Sequence, residues 1–335
     1  MKVLVNGVGN IGTTLAVLLF QYKTILNIDE VYVYKNTVQD WKKSDLAFLE
    51  NIGIKIYYAK DISLENVLNE IDYVFDTTAN GYGLKNKLIY QKANRVIGFC
   101  SQGSEKNFGV PFMSGLNDEK IALERFVQIV SCNTHGAASL ISTLAEKDLS
   151  NLKHADFVVV RRSEDVGNHE RLVGANVVAR HLSEDLGTHH AIDVHDMYLT
   201  LGIKCPISSS DITTPSQLMH ATRFDIEFNT EIDKTSILEK INNNAFIANT
   251  SKFDSNLIFE LGRRYGKLGR IFNHCILISN NLLFTSHGVK GWAFVPQEGN
   301  SIISTIHAYL LQTMGVEMSR QKIGIIKDEL LFKEI

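Results

Sequence analysis

A short glycine-rich segment at the start of the chain, NGVGNIG at residues 6–12, restricts the fold more than any other feature. It follows the apolar run Lys2–Val5 and precedes TTLAVLLF, a stretch typical of an apolar helix. Gly7, Gly9 and Gly12 fit the pattern G-x-G-x-x-G, in which the glycines allow a tight turn, close approach of a pyrophosphate and packing of helix on strand. The helix start then offers backbone N–H groups to the phosphates. This setting favours a dinucleotide-binding turn over a turn that merely needs glycine.

Strand and helix patterns alternate through the first half of the chain. Short apolar runs separated by helical stretches are typical of β-α-β units, which form a parallel sheet covered by helices on both faces. The predicted strands are Lys2–Val5, Val31–Tyr34, Ile54–Tyr58, Ile71–Phe75, Arg95–Phe99 and Val127–Val130. The sequence therefore predicts an α/β fold with a Rossmann-type, doubly wound parallel sheet, whose ligands bind beyond the carboxyl ends of the strands.

The second half of the chain is rich in strand patterns and lacks this regular alternation. The predicted strands are HADFVVVRR (154–162), DMYLTLGIKC (196–205), ATRFDIEFN (221–229), HCILISNN (274–281) and LLFTS (282–286). The predicted helices are ISTLAEKDL (141–149), NSIISTIHAYLLQTMG (300–315) and SRQKIGIIKDELL (319–331). Because several of the strands have period-two patterning, we expect a mainly antiparallel α+β domain here.

Composition argues against some classes of partner. The 335 residues carry a net charge of -3, with 21% charged residues, so there is no basic excess that would indicate binding to nucleic acid or to a membrane. No apolar run approaches the ~20 residues that span a bilayer. The four cysteines are scattered without a C-x-x-C pair, which in a chain of this length is typical of reduced thiols. We therefore expect a cytoplasmic protein.

The end of the second predicted strand bears on the choice of cofactor. Sites specific for NAD usually have Asp or Glu there, which binds the ribose 2′-OH. Here the strand is followed by Lys35, Asn36 and Thr37. An ammonium group with amide and hydroxyl donors suits a ribose 2′-phosphate. We therefore expect NADP, or use of both NADP and NAD; the alternative is a solvated lysine at a strand end.

A cysteine stands at a second junction between a strand and a helix. The run Val127–Val130 leads into Ser131 and Cys132, and the polar residues Asn133 and Thr134 come next. Backbone N–H groups and the helix dipole stabilise a thiolate at such a helix start. A buried cysteine that acts as a small apolar residue fits the local pattern equally well. The local sequence leaves both interpretations open.

Seven collinear segments resemble the archaeal-type (type II) glyceraldehyde-3-phosphate dehydrogenases. SCNTHG at 131–136 resembles the segment that carries the nucleophile in that family, Ser-Cys-Asn-Thr-Thr-Gly, and VNGVGNIG at 5–12 resembles its cofactor loop. The other matching segments are DTTANGYGLKNKLIY (76–90), GFCSQGSEK (98–106), FVVVRRSED (157–165), GTHHAIDV (187–194) and TTPSQLMH (213–220). The matches extend from residue 3 to about residue 320 and so cover nearly the whole chain.

The resemblance implies an enzyme that oxidises glyceraldehyde 3-phosphate with NAD or NADP and releases the product to inorganic phosphate as 1,3-bisphosphoglycerate. By residue-for-residue match, Cys132 is the nucleophile that forms a thioester, and His220 is the general base. Covalent capture divides one difficult step into two easier ones, and a histidine suits proton transfer near neutral pH. The residues expected at the cofactor are Gly7, Gly9, Asn10, Ile11, Gly12, Lys35, Asn36, Thr78 and Gly103.

The substrate and the attacking phosphate are both anionic, and Arg161 and Arg162 match the family's phosphate-binding segment. If that segment stays a strand, the two side chains point to opposite faces and only one of them reaches the substrate. Asn133 and Thr134 are expected to be donors beside the nucleophile.

The segment THHAIDVHD at 188–196 is dense in residues that bind metals. The resemblance gives His189 and His190 a role near the phosphates. A zinc site is an alternative, since zinc takes histidine and carboxylate ligands, and a plain structural loop is another. The spacing matches no H-E-x-x-H motif, so no metal is expected.

The resemblance also implies domain borders and an assembly. In the family a late helix returns to the nucleotide domain. We therefore expect residues 1–131 with about 298–335 to form the NAD(P)-binding domain, and residues 132–297 to form the domain for catalysis and oligomerisation. The expected assembly is a homotetramer.

Two departures from the family pattern bear on the reaction. His135 replaces a threonine, and residues 286–296 differ where the family faces the nicotinamide amide. An imidazole is larger than a hydroxyl and can carry charge, which bears on the phosphorylating step more than on hydride transfer. A related semialdehyde or acyl-phosphate reductase with the same cysteine and histidine is the alternative enzyme. A nucleotide-binding regulator without catalysis is the alternative outside enzymes.

Overall fold

The computed structural model describes residues 1–37, 43–103, 105–163, 177–215, 218–296 and 299–335. Two compact units are formed. The first consists of Met1–Val130 with Ile302–Ile326, and the second of Ser131–Ser301 with Lys327–Ile335. The first unit is therefore discontinuous in sequence.

A parallel sheet forms the centre of the first unit. Its strands are β1 Lys2–Asn6, β2 Glu30–Lys35, β3 Lys55–Tyr58, β4 Tyr73–Asp76, β5 Gly98–Ser101, β6 Val110–Phe112 and β7 Phe126–Ile129. Their order is β3-β2-β1-β4-β5-β7-β6, and every pair is parallel. The helices between them are α1 Asn10–Gln21, α2 Lys23–Leu26, α3 Lys43–Asn51, α4 Leu64–Leu68 and α5 Tyr82–Tyr90. The order runs outward from β1 in both directions, which confirms the predicted doubly wound, Rossmann-type sheet.

A mixed sheet forms the centre of the second unit. Its strands are β8 Leu152–Arg161, β9 Val178–Arg180, β10 Ile207–Thr213, β11 His220–Phe228, β12 Ile247–Thr250, β13 Cys275–Ile278, β14 Leu283–Thr285 and β15 Gly288–Val295. The order is β12-β13-β15-β11-β8-β10-β9, with β14 beside β15. Only the pairs β8–β10 and β12–β13 are parallel among the described strands. The helices are α6 Cys132–Leu144, α7 His189–Leu199, α8 Lys234–Asn243 and α9 Ser255–Tyr265. The predicted mainly antiparallel α+β domain is confirmed.

Two late helices complete the chain, α10 Ile302–Met314 and α11 Val316–Leu330. α10 packs on β5 and β7 of the first unit, and Tyr309 meets Tyr73 edge to face with ring centroids 5.0 Å apart. Such an aromatic pair adds about 0.5–1.5 kcal/mol to the burial of its surface. Over the described ranges, helices with the length and hydropathy of a membrane span are absent.

One predicted strand, DMYLTLGIKC at 196–205, is wrong. Its first residues belong to α7, and a turn follows. The buried side chains Ala191, Val194, Met197 and Tyr198 recur every three or four residues, which is the helical period. The predicted strand begins in the middle of this pattern, where the apolar residues Met197, Tyr198, Leu199 and Leu201 can be assigned to either period.

The two faces of the second sheet are covered by different helices. α6 packs against β8, β11, β13 and β15. His220, Thr222 and Phe224 of β11 are buried and alternate with the half-buried Ala221 and Arg223. On the opposite face, a cluster that includes Met219, Ile258 of α9, Ile271 and Phe294 is buried. His220 therefore lies on the face that carries α6, whereas its neighbours Met219 and Ala221 lie on the opposite face.

Candidate active site

The glycine turn after β1 has the geometry of a dinucleotide cradle. Gly7 has φ +96°, in the left-handed region that favours glycine. A Cβ on Gly12 would lie 2.2 Å from the Gly7 carbonyl oxygen, whereas a Cβ on Gly9 would meet nothing within 4 Å. The backbone is thus tight inside the turn and open towards a ligand. α1 begins at Asn10 and Ile11 without a side-chain cap, as at helix ends that bind phosphate. These five residues fit the pyrophosphate of a dinucleotide.

The other predicted cofactor residues lie along the same edge of the sheet. Lys35 ends β2 and Asn36 follows it. Thr78 comes two residues after β4, and Gly103 two residues after β5. The strands β2, β1, β4 and β5 are neighbours, and the carboxyl ends of parallel strands share one edge. The structure therefore brings all nine predicted cofactor residues to one edge of the first unit.

A buried carboxylate that sequence analysis missed, Asp76, positions Thr78. Its Oδ1 accepts hydrogen bonds from the backbone N–H and the hydroxyl of Thr78, at 3.0 and 2.5 Å. Its Oδ2 accepts from Asn86 at 2.9 Å and from Tyr90 at 2.7 Å. A carboxylate that is 2% exposed requires such donors. An acidic residue directly after a buried strand was the available signal.

The predicted nucleophile is the first residue of α6. Ser131 is the N-cap, and its hydroxyl oxygen accepts a hydrogen bond from the Thr134 N–H at 3.3 Å. Cys132 is half-buried at the first turn of the helix. Backbone N–H groups and the positive end of the helix dipole at the first turn of a helix both stabilise a thiolate.

The other three cysteines are buried. Burial raises the pKa of Cys205 and of Cys275 to about 12, and it raises the pKa of Cys100 as well. These thiols therefore stay protonated near neutral pH, and Cys132 is the reactive candidate among the four.

The side chains that follow Cys132 turn inward. Thr134 is fully buried, and its Oγ1 lies 2.8 Å from the Ser131 Oγ. Its hydroxyl thus takes part in the helix cap, and its expected role as a donor to the substrate stays a prediction. Asn133 is 4% exposed and its side chain is also largely covered.

His135, which replaces the family's threonine, is fully buried. Its Nδ1 lies 2.9 Å from the Ser131 carbonyl oxygen, which can only accept, so Nδ1 carries the proton. The ring packs edge-on against His274 with centroids 4.9 Å apart. The imidazole is therefore packed inside the second unit.

His220 is held by a backbone hydrogen bond at the start of β11. Its Nδ1 accepts from the Arg162 N–H at 3.0 Å, and the side chain is almost completely buried. Burial lowers its pKa to about 3, with further lowering by the charges of Arg162 and Arg161. A neutral imidazole whose Nδ1 accepts has its proton on Nε2. The sequence predicts a general base here, yet the lone pair that a base needs is engaged at Nδ1, and Nε2–H is a donor.

Cys132 and His220 lie at the same end of the second sheet. Gly136, one turn into α6, packs on Val295, because a Cβ there would lie 3.2 Å from the Val295 Cγ2. Val295 is the partner of His220 in the β11–β15 register, and paired residues face the same side of a sheet. Folding therefore brings together a helix start and a strand start that are 88 residues apart in the sequence.

The two arginines diverge as the strand alternation predicts. Arg161 ends β8, and its Nη1 donates to the Asp211 Oδ2 at 3.3 Å. Arg162 follows the strand, and its Nη1 donates to the Leu218 carbonyl at 3.2 Å. Asp211 lies beside α7, whereas Leu218 precedes Met219 on the opposite face. Arg161 is therefore the arginine on the side of Cys132.

The predicted histidine pair opens α7 next to Arg161. The rings of His189 and His190 have centroids 3.8 Å apart. His190 is 2% exposed, and within the described ranges neither of its ring nitrogens has a hydrogen-bond partner. Burial lowers its pKa well below the usual value, with contributions from the charges of His189, Arg161 and His220. A neutral imidazole with an unsatisfied N–H beside a guanidinium suits an anionic ligand.

A metal is the alternative ligand for this cluster. The candidate donor atoms of His189, His190 and Asp211 lie within 4.8 Å of one another, and the His190 Nε2 is 4.0 Å from the Asp211 Oδ2. Zinc bonds of about 2.0–2.2 Å require tetrahedral donor atoms only about 3.5 Å apart. Because Asp211 also accepts from Arg161, the arrangement fits an anion better than a cation.

Two polar side chains near the site were missed by sequence reasoning. Asp211 holds Arg161, and the amide nitrogen of Asn300 donates to the Cys132 and His274 carbonyl oxygens, each at 2.9 Å. Asp211 occupies a buried position of a period-two strand, which is a signal, whereas Asn300 lies in a loop without a motif.

No known family model matches the chain. It is 26% identical to glyceraldehyde-3-phosphate dehydrogenase of Metallosphaera sedula, over 99% of this chain and 100% of that protein. Proteins of the same name from Sulfurisphaera tokodaii and Thermococcus kodakarensis are each 25% identical, over 99% and 98% of this chain and 99% of each relative. Over nearly its whole length, the chain is thus similar to the glyceraldehyde-3-phosphate dehydrogenases.

Proposed function

We propose that this protein is a phosphorylating glyceraldehyde-3-phosphate dehydrogenase of the archaeal type. The observation that carries the proposal is the position of Cys132 at the start of α6, at the same end of the sheet as His220. The similarity to proteins of that name supports the reaction class. A homotetramer is proposed from the same resemblance, and light scattering of the purified chain measures it.

The chemistry begins with addition of the Cys132 thiolate to the aldehyde carbon. The carbonyl electrons move to oxygen, and the His220 Nε2–H donates a hydrogen bond to that oxyanion. Loss of hydride from the same carbon leaves a thioester on Sγ. Inorganic phosphate then adds to the thioester carbon and gives up its proton to solvent, the C–S bond breaks, and 1,3-bisphosphoglycerate leaves with the thiolate restored. A bound nicotinamide supplies the hydride acceptor.

The phosphate of the substrate is proposed to bind between Arg161 and the histidine pair. Arg161 is oriented by Asp211 at 3.3 Å, so its guanidinium is fixed before the ligand arrives. His189 and His190 supply imidazole donors on the other side. Guanidinium and N–H donors around one phosphate form charge-assisted hydrogen bonds.

The cofactor is proposed to be NADP, with NAD as a second substrate, because Lys35 occupies the position of the ribose-binding acid. We expect Lys35→Asp to raise KM for NADP far more than KM for NAD, since the new carboxylate repels a 2′-phosphate but accepts from a 2′-OH. Lys120→Asp makes the same charge change elsewhere in the first unit and should alter neither value. Equal effects of Lys35→Asp on both cofactors would remove the 2′-phosphate interpretation.

The deciding experiment is a steady-state assay with glyceraldehyde 3-phosphate and each nicotinamide, with and without inorganic phosphate. We expect reduction of NADP that depends on phosphate and is abolished by Cys132→Ala, whereas Cys205→Ala stays active. Iodoacetate should label Cys132 at neutral pH in proportion to the loss of activity, because the other thiols are buried. Slow and uniform labelling of all four cysteines would favour a protein that only binds nucleotide.

A further inference from the structure

A second buried carboxylate of the first unit, that of Glu105, lies on the start of α5. The residue follows β5 in the chain and is 4% exposed. Its Oε2 accepts a hydrogen bond from the Gly81 N–H at 2.9 Å, and its Oε1 accepts from the Leu84 N–H at 3.1 Å. A buried carboxylate needs such donors, and the first N–H groups of a helix need acceptors. Glu105 therefore joins the segment after β5 to the first turn of α5.

The residues at this helix start fit a carboxylate from elsewhere in the chain. Gly81, the N-cap of α5, has no side chain that could accept from the first turn, and its φ of +83° favours glycine. Gly83 leaves room for the acid, because a Cβ there would lie 2.9 Å from the Glu105 Cγ. A carboxylate at a helix start is also stabilised by the helix dipole. Two glycines and one acid thus form a single helix cap.

The segment that follows β4 connects the start of α5 to the glycine turn. Thr77 donates its N–H to the Asn6 carbonyl oxygen at 2.9 Å and its hydroxyl to the Gly7 carbonyl oxygen at 2.5 Å. The packing is close, since a Cβ on Gly12 would lie 2.5 Å from the Thr77 Oγ1. Three residues separate Thr77 from Gly81. A continuous set of backbone contacts therefore leads from Glu105 to the glycine turn.

We propose that Glu105 is a positioning residue for the dinucleotide, which fixes the shape of the glycine turn through the segment 77–81. This inference rests on the proposed binding of NADP and NAD. Donors that are already oriented bind a phosphate more tightly than donors that must be ordered on binding. The glycine turn serves the pyrophosphate, which both cofactors contain, whereas Lys35 bears on the 2′-phosphate alone. Glu105 therefore raises the affinity for both cofactors by the same factor.

The test is a fluorescence titration of the purified chain with NADPH and with NADH. We expect Glu105→Ala to weaken the binding of both by about tenfold, which corresponds to about 1.4 kcal/mol of ordering that the ligand must then supply. Glu105→Gln should bind both more tightly than Glu105→Ala does, because its amide oxygen still accepts from one of the two N–H groups. If Glu105→Ala does not fold, Glu105→Gln is compared with the unsubstituted chain instead.

Gly83→Ala tests the same contact from the side of the helix. Alanine is the better helix former, so a loss of affinity in this variant does not come from a weaker helix. We expect the new methyl group to displace the Glu105 side chain and to weaken the binding of both cofactors. Gly324→Ala is the matched control, because it makes the same change in α11 at a position where a Cβ meets nothing within 4 Å. It should leave both affinities unchanged.

Asp72→Ala is the control for loss of an acid from the same sheet. Its Oδ2 accepts from the Lys2 N–H at 2.8 Å and its Oδ1 accepts from Arg95 at 2.9 Å. Lys2 begins β1, so these contacts lie at the edge opposite to the glycine turn. Asp72→Ala should leave the affinities for NADPH and NADH unchanged, whatever it does to the free energy of unfolding.

Two outcomes would overturn the role of Glu105. The first is an affinity that Glu105→Ala leaves unchanged or weakens no more than Asp72→Ala does. The second is a loss confined to NADPH, which would indicate an effect on the 2′-phosphate and not on the glycine turn. An unsubstituted chain that binds neither NADPH nor NADH would contradict the proposed function together with this inference, so that failure is distinguished from a failure of Glu105 alone.

Discussion

Among single residues, His220 shows how one backbone hydrogen bond sets a chemical role. A backbone N–H can only donate, so the contact at 3.0 Å from Arg162 keeps the lone pair of the neutral ring at Nδ1. To act as a base through Nε2, the neutral ring would have to carry its proton on Nδ1. Two donors, this N–H and the Arg162 N–H, would then face each other. The resulting unpaired donors in a buried place cost about 1–3 kcal/mol each. The geometry therefore favours a donor to the oxyanion.

This role predicts a particular ranking of variants at position 220. His220→Ala should lower kcat by about 10²–10³, the effect of removing one oxyanion donor. His220→Gln should retain more activity than His220→Ala, because an amide N–H also donates. Steady-state kinetics of the two variants measure the difference.

The pH profile provides an independent check on His220. Because its pKa is lowered to about 3, the ring is neutral from pH 5 to 8, and its titration should not reduce kcat in that range. A general base with a pKa near 6.5 would give a fall of activity below that pH. Two results together would show that His220 acts as a base. The first is a fall of activity below pH 6.5 that is absent in His220→Gln, and the second is equal activity of the Gln and Ala variants.

The site residues that the sequence predicts are those whose neighbours within a few positions indicate their chemical role. The glycine turn and Cys132 stand at junctions of strand and helix, where spacing is informative over a few residues. Asp211 and Asn300 act on Arg161 and Cys132 from distant parts of the chain, so only the fold reveals them. The inward direction of Thr134 likewise depends on the helix cap.

At the scale of elements, the start of α6 combines a stabilising cap with the proposed nucleophile. We expect Ser131→Ala to lower the free energy of unfolding by about 0.5–2 kcal/mol, the usual effect of losing an N-cap. It should also slow alkylation of Cys132, because the first turn then frays and its N–H groups lose their orientation. Urea titration and iodoacetate kinetics measure the two effects.

The control for Ser131 is Asp233→Ala, which removes the N-cap of α8, where the Asp233 Oδ2 accepts from the Ser236 N–H at 2.8 Å. It should reduce stability similarly and leave alkylation unchanged. Equal alkylation rates in both variants would show that the cap does not influence the thiol.

The elements that sequence reasoning found or missed differ in their periodicity. The central parallel strands β1, β2, β4 and β5 are mostly buried and lie in apolar runs, which explains why the sequence predicts them. The short strand β6, whose residues are mostly half-buried, is absent from the prediction. α7 was missed because its polar residues, including His189 and His190, interrupt the helical pattern at its start. A helix that opens with site residues shows its period only in its later turns.

At the scale of the whole molecule, we expect three buried histidines to lower the stability of the fold in acid. His190, His220 and His274 are buried, and burial lowers the pKa of each. His274 stacks on Phe246 with centroids 4.1 Å apart, and in the described part of the chain its ring nitrogens have no hydrogen-bond partner. The count of 11 histidines in the sequence does not distinguish these three from exposed ones.

The sign of the resulting pH dependence follows from linkage. The unfolded chain binds protons on these rings below a pKa of about 6.5, while the folded chain does not until far lower pH. This contribution to stability is therefore fully present well above pH 6.5 and is lost as the pH falls through that value, by roughly 1 kcal/mol per buried histidine at pH 5.5. Urea titrations at pH 5.5, 6.5 and 7.5 should show this loss. His274→Phe keeps the ring stack without a titrating group and should remove about one third of the slope; an unchanged slope would mean that His274 does not set the acid limit.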